Sequence, residues 1–455
     1  MDMKQKKQST SAKILKGYLL IIFVGAALLM LPISVQGSYG EFLPHMFKSL
    51  FTATSATCVT GLILEETGTY WSMFGQIIIL LLIQIGGLGF MVVIYLIALV
   101  FRRRLSLSER KSLVQAQGFF GVSGVVTLIR KIFLFALSFE LAGAILLSIR
   151  LIPKYGVGEG IYRSIFLSVS AFCNAGFDPL GGGSLVSQQN DVLVLLTIIG
   201  LIICGGLGFV VWDDIFKTKF NFKKQKLHTR VVLITSFVLL LVPTVLFLLF
   251  EYNDAFKNLN GFGNKLLAAF FQSTTCRTAG FAAVDQASLS PASITLSTIL
   301  MFIGGSSGST AGGVKITTFA VLVLSVFSTT IRKPSIVVGK RQIDPAITKQ
   351  ASAVFIFYLF MSIGAALAIL GIEKINLETG IIKFQDVFFE VISAVGTVGL
   401  SAASTATFTI YSQAILILLM YIGRLGALSI IAFFREKAET GADSIKYPTE
   451  KIIVG

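Results

Sequence analysis

Charge is scarce in this sequence: Asp, Glu, Lys and Arg together make up 13% of its 455 residues. A soluble domain carries roughly twice that share, so a fully solvated globular surface is excluded. Histidine is nearly absent, with His45 and His228 the two examples. Neither has a nucleophile or paired acid close in sequence, which leaves nothing around which to build a catalytic constellation. No enzyme is expected. The four cysteines, Cys58, Cys173, Cys204 and Cys276, show no CxxC spacing, so a zinc site or redox motif lacks its signature. Small packing roles suit them better. No Pro- or Ser-rich linker divides the chain, and one domain over 1–455 is expected.

What the chain has instead is apolar surface. Hydrophobic residues reach 54%, in about nine runs near or above the ~20 residues that a bilayer-crossing helix needs. The reading is an all-α integral membrane protein. Outer helices are expected over roughly 14–36, 127–152, 230–251 and 347–372, and inner helices over roughly 72–101, 191–216, 293–331 and 410–434. Basic residues fall unevenly between the spans. The segment 1–16, the loops 102–131, 217–230 and 332–349, and the tail from Arg435 hold 27 Lys and Arg, against 9 in the connections on the other side. That bias places both termini and the basic loops in the cytoplasm of an inner-membrane protein. Met1 to Lys16 is basic, but the long helix after it has no small-residue cleavage site, so it reads as a retained anchor. Trp71 and Trp212, near inner-helix ends, suit an interfacial belt or ordinary helix packing equally well. The net charge of +15 is mostly this topology, although a basic cytoplasmic face also suits anionic lipid or an acidic partner.

Between each outer and inner helix lies a shorter apolar segment with one recurring pattern. Phe51, Ser55, Gly61 and Leu62 match Phe166, Ser170, Gly176 and Phe177, then Phe270, Thr274, Gly280 and Phe281, then Phe389, Ser393, Gly399 and Leu400. The Gly positions are 115, 104 and 119 residues apart, which makes a fourfold internal repeat over 14–101, 127–216, 230–331 and 347–434, with 435–455 as a tail. Each copy is read as a re-entrant pore helix, at roughly 42–56, 159–172, 262–275 and 382–395, followed by a loop. Non-helical backbone at membrane depth is tolerated only where its carbonyls line water or ions, and a carbonyl ring can replace a cation's hydration shell. The expected filter backbone is Cys58, Val59, Thr60 and Gly61; Cys173, Asn174, Ala175 and Gly176; Arg277, Thr278, Ala279 and Gly280; and Gly396, Thr397, Val398 and Gly399. The last set matches the opening of the TVGYG filter of potassium channels. Arg277 is awkward beside a cation path; its side chain is expected to brace the pore helix from behind, the alternative being a barrier to ion entry. Glu65, Glu66, Asp178 and Asp285 follow the filter and either concentrate cations there or are plain solvated loop residues.

A second repeat lies 24 to 29 residues further on: Gly86-Gly87, Gly205-Gly206, Gly304-Gly305 and Gly423-Arg424. The first two pairs suit close helix packing. The third opens the run Gly304, Gly305, Ser306, Ser307, Gly308, Ser309, Thr310, Ala311, Gly312, Gly313, Val314 and Lys315, which cannot sustain a helix, so the third inner helix is expected to be broken there. A nucleotide loop is excluded because G-x-x-x-x-G-K-[ST] is absent. Arg424, inside an apolar span, is a functional candidate at matching depth. It either bonds the loop's carbonyls or ties repeats together.

Four helix–pore loop–helix repeats, a GGSSGSTAGGVK break and an Arg in the fourth inner helix together resemble the Trk, Ktr and HKT superfamily of cation transporters, most closely its Ktr-type membrane subunits. The resemblance implies eight transmembrane helices and four pore helices around a pseudo-fourfold pore. It implies uptake of K+, often stimulated by Na+, by a homodimer with a pore in each protomer. A cytoplasmic regulatory ring binding ATP or ADP would be the partner, the glycine-rich loop with Lys315 and Arg424 the gate, and lipid the only other neighbour. No cofactor of the chain's own and no nucleic acid enter. An alternating-access symporter built on inverted repeats is the alternative, disfavoured because these repeats keep one orientation. A membrane-embedded enzyme would need paired polar groups inside the spans, and Lys315 and Arg424 do not supply such a pair.

Overall fold

The computed structural model describes residues 10–37, 41–89, 92, 93, 95, 125–333, 335–338 and 341–427. The ends of the first and fourth expected inner helices, most of the 102–131 loop and the 435–455 tail lie outside the described residues. Within them the same unit occurs four times. Outer helices are Thr10–Leu29, Val125–Tyr155, Leu227–Glu251 and Pro345–Ile372, and each contains a stretch long and apolar enough to cross a bilayer. Pore helices are Phe42–Cys58, Val157–Cys173, Gly261–Thr275 and Phe384–Gly396, and inner helices open with Met73–Leu88, Val192–Leu207, Pro291–Phe302 and Ile410–Leu425. A two-residue antiparallel pair, Val337–Val338 with Arg341–Gln342, is the one departure from helix that takes regular form among the described residues.

Local chemistry sets the boundaries. The first outer helix stops at Leu29 rather than running to 36, because Pro32 pushes Leu31 into extended backbone (ψ 139°) before a short 3-10 turn. The fourth begins at Pro345, behind an Asp344 carboxylate that accepts the Ala346 N–H at 2.9 Å. Each outer helix is then fastened near the first turn of its own inner helix. In the first repeat the Ser72 N–H donates to the Ser34 carbonyl at 2.9 Å, and in the second Arg150 lies 3.4 Å from Asp191. Glu251 accepts the Ser290 N–H and hydroxyl at 2.9 and 2.5 Å, and Glu373 does the same for Thr409 at 2.8 and 2.6 Å. These two carboxylates are buried, and the paired donors meet the desolvation cost.

Two expectations need correction. The third inner helix is indeed interrupted, between Phe302 and Ile316, but it is not alone. The second inner helix stops at Leu207, passes through Gly208 at φ 93°, and turns 91° into Phe209–Lys217. The first and fourth reach comparable left-handed glycines, Gly89 at φ 85° and Gly426 at φ 79°. A glycine at each of these three points lets the backbone leave the helical path without the penalty a Cβ would carry. The third pore loop is also one residue out of register. There Phe271 is the fully buried ring, as Phe51, Phe166 and Phe389 are in the others, while Phe270 stays partly exposed.

The repeats close on themselves. Each inner helix packs against the pore helix of the next repeat, with the fourth returning to the first pore helix, and the first, second and fourth also pack against their own. The pore helices therefore all aim their C-terminal ends at one central point.

Candidate functional site: a ring of four backbone carbonyls above an unwound loop

At that central point stand Gly61, Gly176, Gly280 and Gly399, with φ of 94°, 71°, 77° and 94°. Two residues before each, Val59, Asn174, Thr278 and Thr397 also have positive φ, between 52° and 68°. For the β-branched Val59, Thr278 and Thr397 this is a strained conformation, of a kind that clusters at functional sites. The glycines are mutually in contact. A Cβ on Gly61 would sit 2.5 Å from the Ala175 oxygen, and one on Gly176 would sit 2.9 Å from the Ala279 oxygen. One on Gly280 would strike the Val398 oxygen, and one on Gly399 the Thr60 oxygen. That sequence of neighbours closes a ring in repeat order, and no hydrogen bond among the described residues ends on any of these four carbonyls. The hydroxyls of Thr57, Thr60, Thr278 and Thr397 are likewise buried without partners. Unpaired oxygens at this depth are costly unless a cation or water meets them.

The pore-helix hydroxyls hold the loops in place. The Gly61 and Gly399 N–H groups donate to Ser55 Oγ and Ser393 Oγ, both at 3.0 Å. Ser170 Oγ instead donates to the Phe177 carbonyl at 2.6 Å. In the third copy Thr274 turns back to its own helix at Phe270, and Thr275 takes the role by donating to Phe281 at 2.6 Å. The repeat pattern thus points one residue away from the group that acts. The Arg277 side chain runs outward and donates to Ser236 Oγ, 3.2 Å away on the third outer helix. Cys58, Cys173 and Cys276 are buried at pore-helix ends, and no metal-ligating cluster exists among the described residues.

Outside the ring lies a vestibule of about 830 Å³, lined by the four glycines with Glu66, Asp178, Asp285 and Asp386 and by Lys383. Glu65 is instead paired with Lys48 at 2.6 Å. Asp386 was not singled out from the sequence; its place in the first turn of the fourth pore helix was the available signal. The half-buried Asp178 carboxyl is pushed up to about 6 by burial, opposed by the Leu180 and Gly181 N–H groups and the Ser184 hydroxyl and reinforced by Glu66.

Beneath the ring the segment from Ile303 to Lys315 crosses without helix. Ser306 N–H and Thr310 N–H donate to Gly206 and Gly205 at 3.0 and 3.3 Å, and Thr310 Oγ1 donates to the Phe172 carbonyl at 3.2 Å. Phe209 N–H donates to Gly308 at 2.9 Å, a contact with no counterpart in the sequence reading. Ile316 N–H bonds Gly305 and Gly304 N–H bonds Val314, at 3.0 and 2.8 Å, so the two strands of the loop hold each other. Gly312 lies against Thr397 and Gly313 against Gly396, which seats the loop directly on the backbone that leads into the ring. Lys315 Nζ folds back onto the Ala311 carbonyl at 2.6 Å. The half-buried Arg424 donates to the Thr310 carbonyl through one nitrogen and to the Gly86 and Gly87 carbonyls through the other, the last at 3.3 Å. It therefore joins the fourth inner helix to the loop and to the break in the first.

The glycine pairs serve the same convergence. A Cβ on Gly86, Gly205 or Gly423 would strike the Thr57, Phe172 or Val395 carbonyl respectively, each four residues before a filter glycine. In the third copy that partner is replaced by the loop's own Gly312 carbonyl.

Comparison with known proteins assigns the arrangement. A family model described as TrkH, cation transport protein, matches residues 36–444. The potassium/sodium uptake protein NtpJ of Enterococcus hirae is 39% identical over 99% of this chain and 98% of its own length. Ktr system potassium uptake protein B of Bacillus subtilis is 39% identical over 96% and 95%. The crystal structure of the potassium transporter TrkH from Vibrio parahaemolyticus has the same fold, with a TM-score of 0.69 at 18% identity over 95% of this chain and 86% of that one. The chain belongs to the TrkH family of cation transport proteins, and is a multi-pass membrane transporter rather than an enzyme.

Proposed function

We propose that the chain takes up K+ through the ring formed by the Thr60, Ala175, Ala279 and Val398 carbonyls, across eight spans with both termini in the cytoplasm. The carrying observation is that four repeats leave four carbonyls unpaired in one ring at membrane depth. The vestibule acids raise the local cation concentration before entry. The ring has one glycine per loop rather than two, so fewer ordered carbonyl sites exist than in a TVGYG filter and discrimination against Na+ is weaker. The loop 304–315 is the gate, held by Arg424 and seated on Thr397 and Gly396. The relatives named for potassium/sodium uptake and for the Ktr system support involvement of Na+ and membership of a system with partner subunits; the reading adds that the chain works as a homodimer with a cytoplasmic partner that binds ATP or ADP. Complementation of a potassium-uptake-deficient bacterium, with and without such a partner, tests the reading. Growth on limiting K+ supports it, and failure of a correctly inserted protein in both settings overturns it.

Replacing any one of Gly61, Gly176, Gly280 or Gly399 by Ser forces a Cβ into the neighbouring loop. The expected result is at least a tenfold loss of K+ affinity or of K+ over Na+ preference, about 1.4 kcal/mol, with normal membrane insertion. Uptake kinetics in the four variants read it directly.

For the gate, Arg424→Ala removes the tie to Thr310, and shortening within 306–311 removes the obstruction. Both are expected to raise maximal flux severalfold and relax dependence on a cytoplasmic partner, while the K+ affinity moves little. Variants that insert normally yet conduct no faster than wild type assign these residues to packing.

The vestibule carries a pH dependence. Asp178 loses its charge as external pH falls through about 6, so uptake at limiting K+ is expected to drop roughly twofold between pH 7 and 5, the modest effect of one partly solvated charge. Asp178→Asn should start low and lose that step. An unchanged pH profile in the variant gives the effect to another group.

A further inference from the structure

The segment after Gly208 is not used by the carbonyl ring, and with the helix before it forms the one sharply bent helix pair among the described residues. Its 91° turn lays Phe209–Lys217 across the direction of the span that precedes it. One end of this elbow touches the gate: Phe209 N–H bonds Gly308, and a Cβ on Gly208 would lie 2.9 Å from the Ser307 oxygen. The other end is exposed and mixed in chemistry. Phe216, Phe220 and Phe222 are 45%, 68% and 46% exposed, and Lys217, Lys219, Lys223, Lys224 and Lys226 lie among them, all exposed.

The elbow's own acids are already engaged. Asp213 bridges Lys131 and Lys217, both at 2.6 Å, and Asp214 accepts the Thr229 hydroxyl and the Lys226 N–H at 2.6 and 2.9 Å. The exposed end is therefore positively charged. The aromatic groups form an unbroken ladder from the filter to this end. Phe172 stacks on Phe139 at 5.9 Å, Phe139 meets Trp212 at 5.1 Å, Trp212 meets Phe216 at 5.8 Å, and Phe216 meets Phe220 at 5.8 Å. Phe216 also stacks on Phe135 of the second outer helix, whose neighbours Phe133, Leu134 and Leu137 are 40 to 58% exposed. The patch is thus continuous with an exposed apolar face of the second outer helix. A short amphipathic helix lying across the span direction, followed by a turn that sets exposed lysines beside exposed aromatic rings, is the build of an interfacial lipid-binding element.

We propose that the elbow over 209–224 binds anionic phospholipid headgroups at the cytoplasmic surface and transmits that occupancy to the gate loop through the Gly208–Phe209 contact. Phe220 and Phe222 insert at the headgroup level while Lys219, Lys223 and Lys224 meet the phosphates. The flux arm of the test rests on the transport reading above; the binding arm does not.

The test reconstitutes the full chain in phosphatidylcholine vesicles with and without phosphatidylglycerol. K+ flux is measured, and in parallel the phosphatidylglycerol retained by the purified protein in mixed micelles. Wild type should carry several times more flux with phosphatidylglycerol. The triple variant Lys219→Gln, Lys223→Gln, Lys224→Gln should lose that gain while keeping its phosphatidylcholine flux. Each lysine removed should lower apparent anionic-lipid affinity about fivefold, the factor set by ~1 kcal/mol per charge near the surface. Phe220→Ser should weaken retention without altering charge. Equal wild-type flux in both vesicles, or a triple variant that keeps the wild-type gain and retention, overturns the proposal. So does stimulation by soluble glycerol phosphate in phosphatidylcholine vesicles, which would make this a free-anion site. If no variant conducts in any lipid, the transport reading fails while retention still decides the lipid site.

Discussion

An unpaired backbone carbonyl inside a membrane must be met by something, and this molecule is organised around four of them. The Thr60, Ala175, Ala279 and Val398 oxygens have no protein donor among the described residues, while the backbone on either side is tightly held by the Ser55, Ser170, Thr275 and Ser393 hydroxyls. Strained left-handed residues at Val59, Thr278 and Thr397 persist because neighbouring loops over-determine them. The four ring glycines are needed twice: for their φ, and because the next loop occupies the space a Cβ would take.

The rest of the fold supplies convergence. Inner helices press on pore-helix ends through Gly86, Gly205 and Gly423, and each then breaks or turns at a glycine. In the third repeat the break is extended into the loop that lies under the ring. Its bonds run to the second repeat at Gly205, Gly206 and Phe172 and to the fourth through Arg424, so its position is set by two neighbouring repeats at once. A displacement of either repeat is felt by the loop, which has little side-chain packing of its own to resist it.

Much of this was legible in the sequence because the controlling residues are glycines, whose spacing survives fourfold duplication. The repeat, the broken third inner helix and the intramembrane Arg424 all follow from counting. Three features did not. The bend at Gly208 hides behind a glycine pair that reads as packing, since hydropathy is blind to direction. The one-residue shift in the third loop, from Thr274 to Thr275, is masked by adjacent residues of the same kind, and only the hydrogen bond to Phe281 separates them. Phe209 reaches the unwound loop through its backbone N–H, a donor that every residue but proline carries, so no side-chain pattern announces it.

Anomalous scattering from an experimental structure of the protein loaded with rubidium or thallium tests the central claim most directly. The account predicts a peak on the pseudo-fourfold axis within coordinating distance of the Thr60, Ala175, Ala279 and Val398 oxygens, lost when Gly61 is replaced by Ser. An axis free of density at that ring, with the ion held elsewhere by side chains, would contradict it.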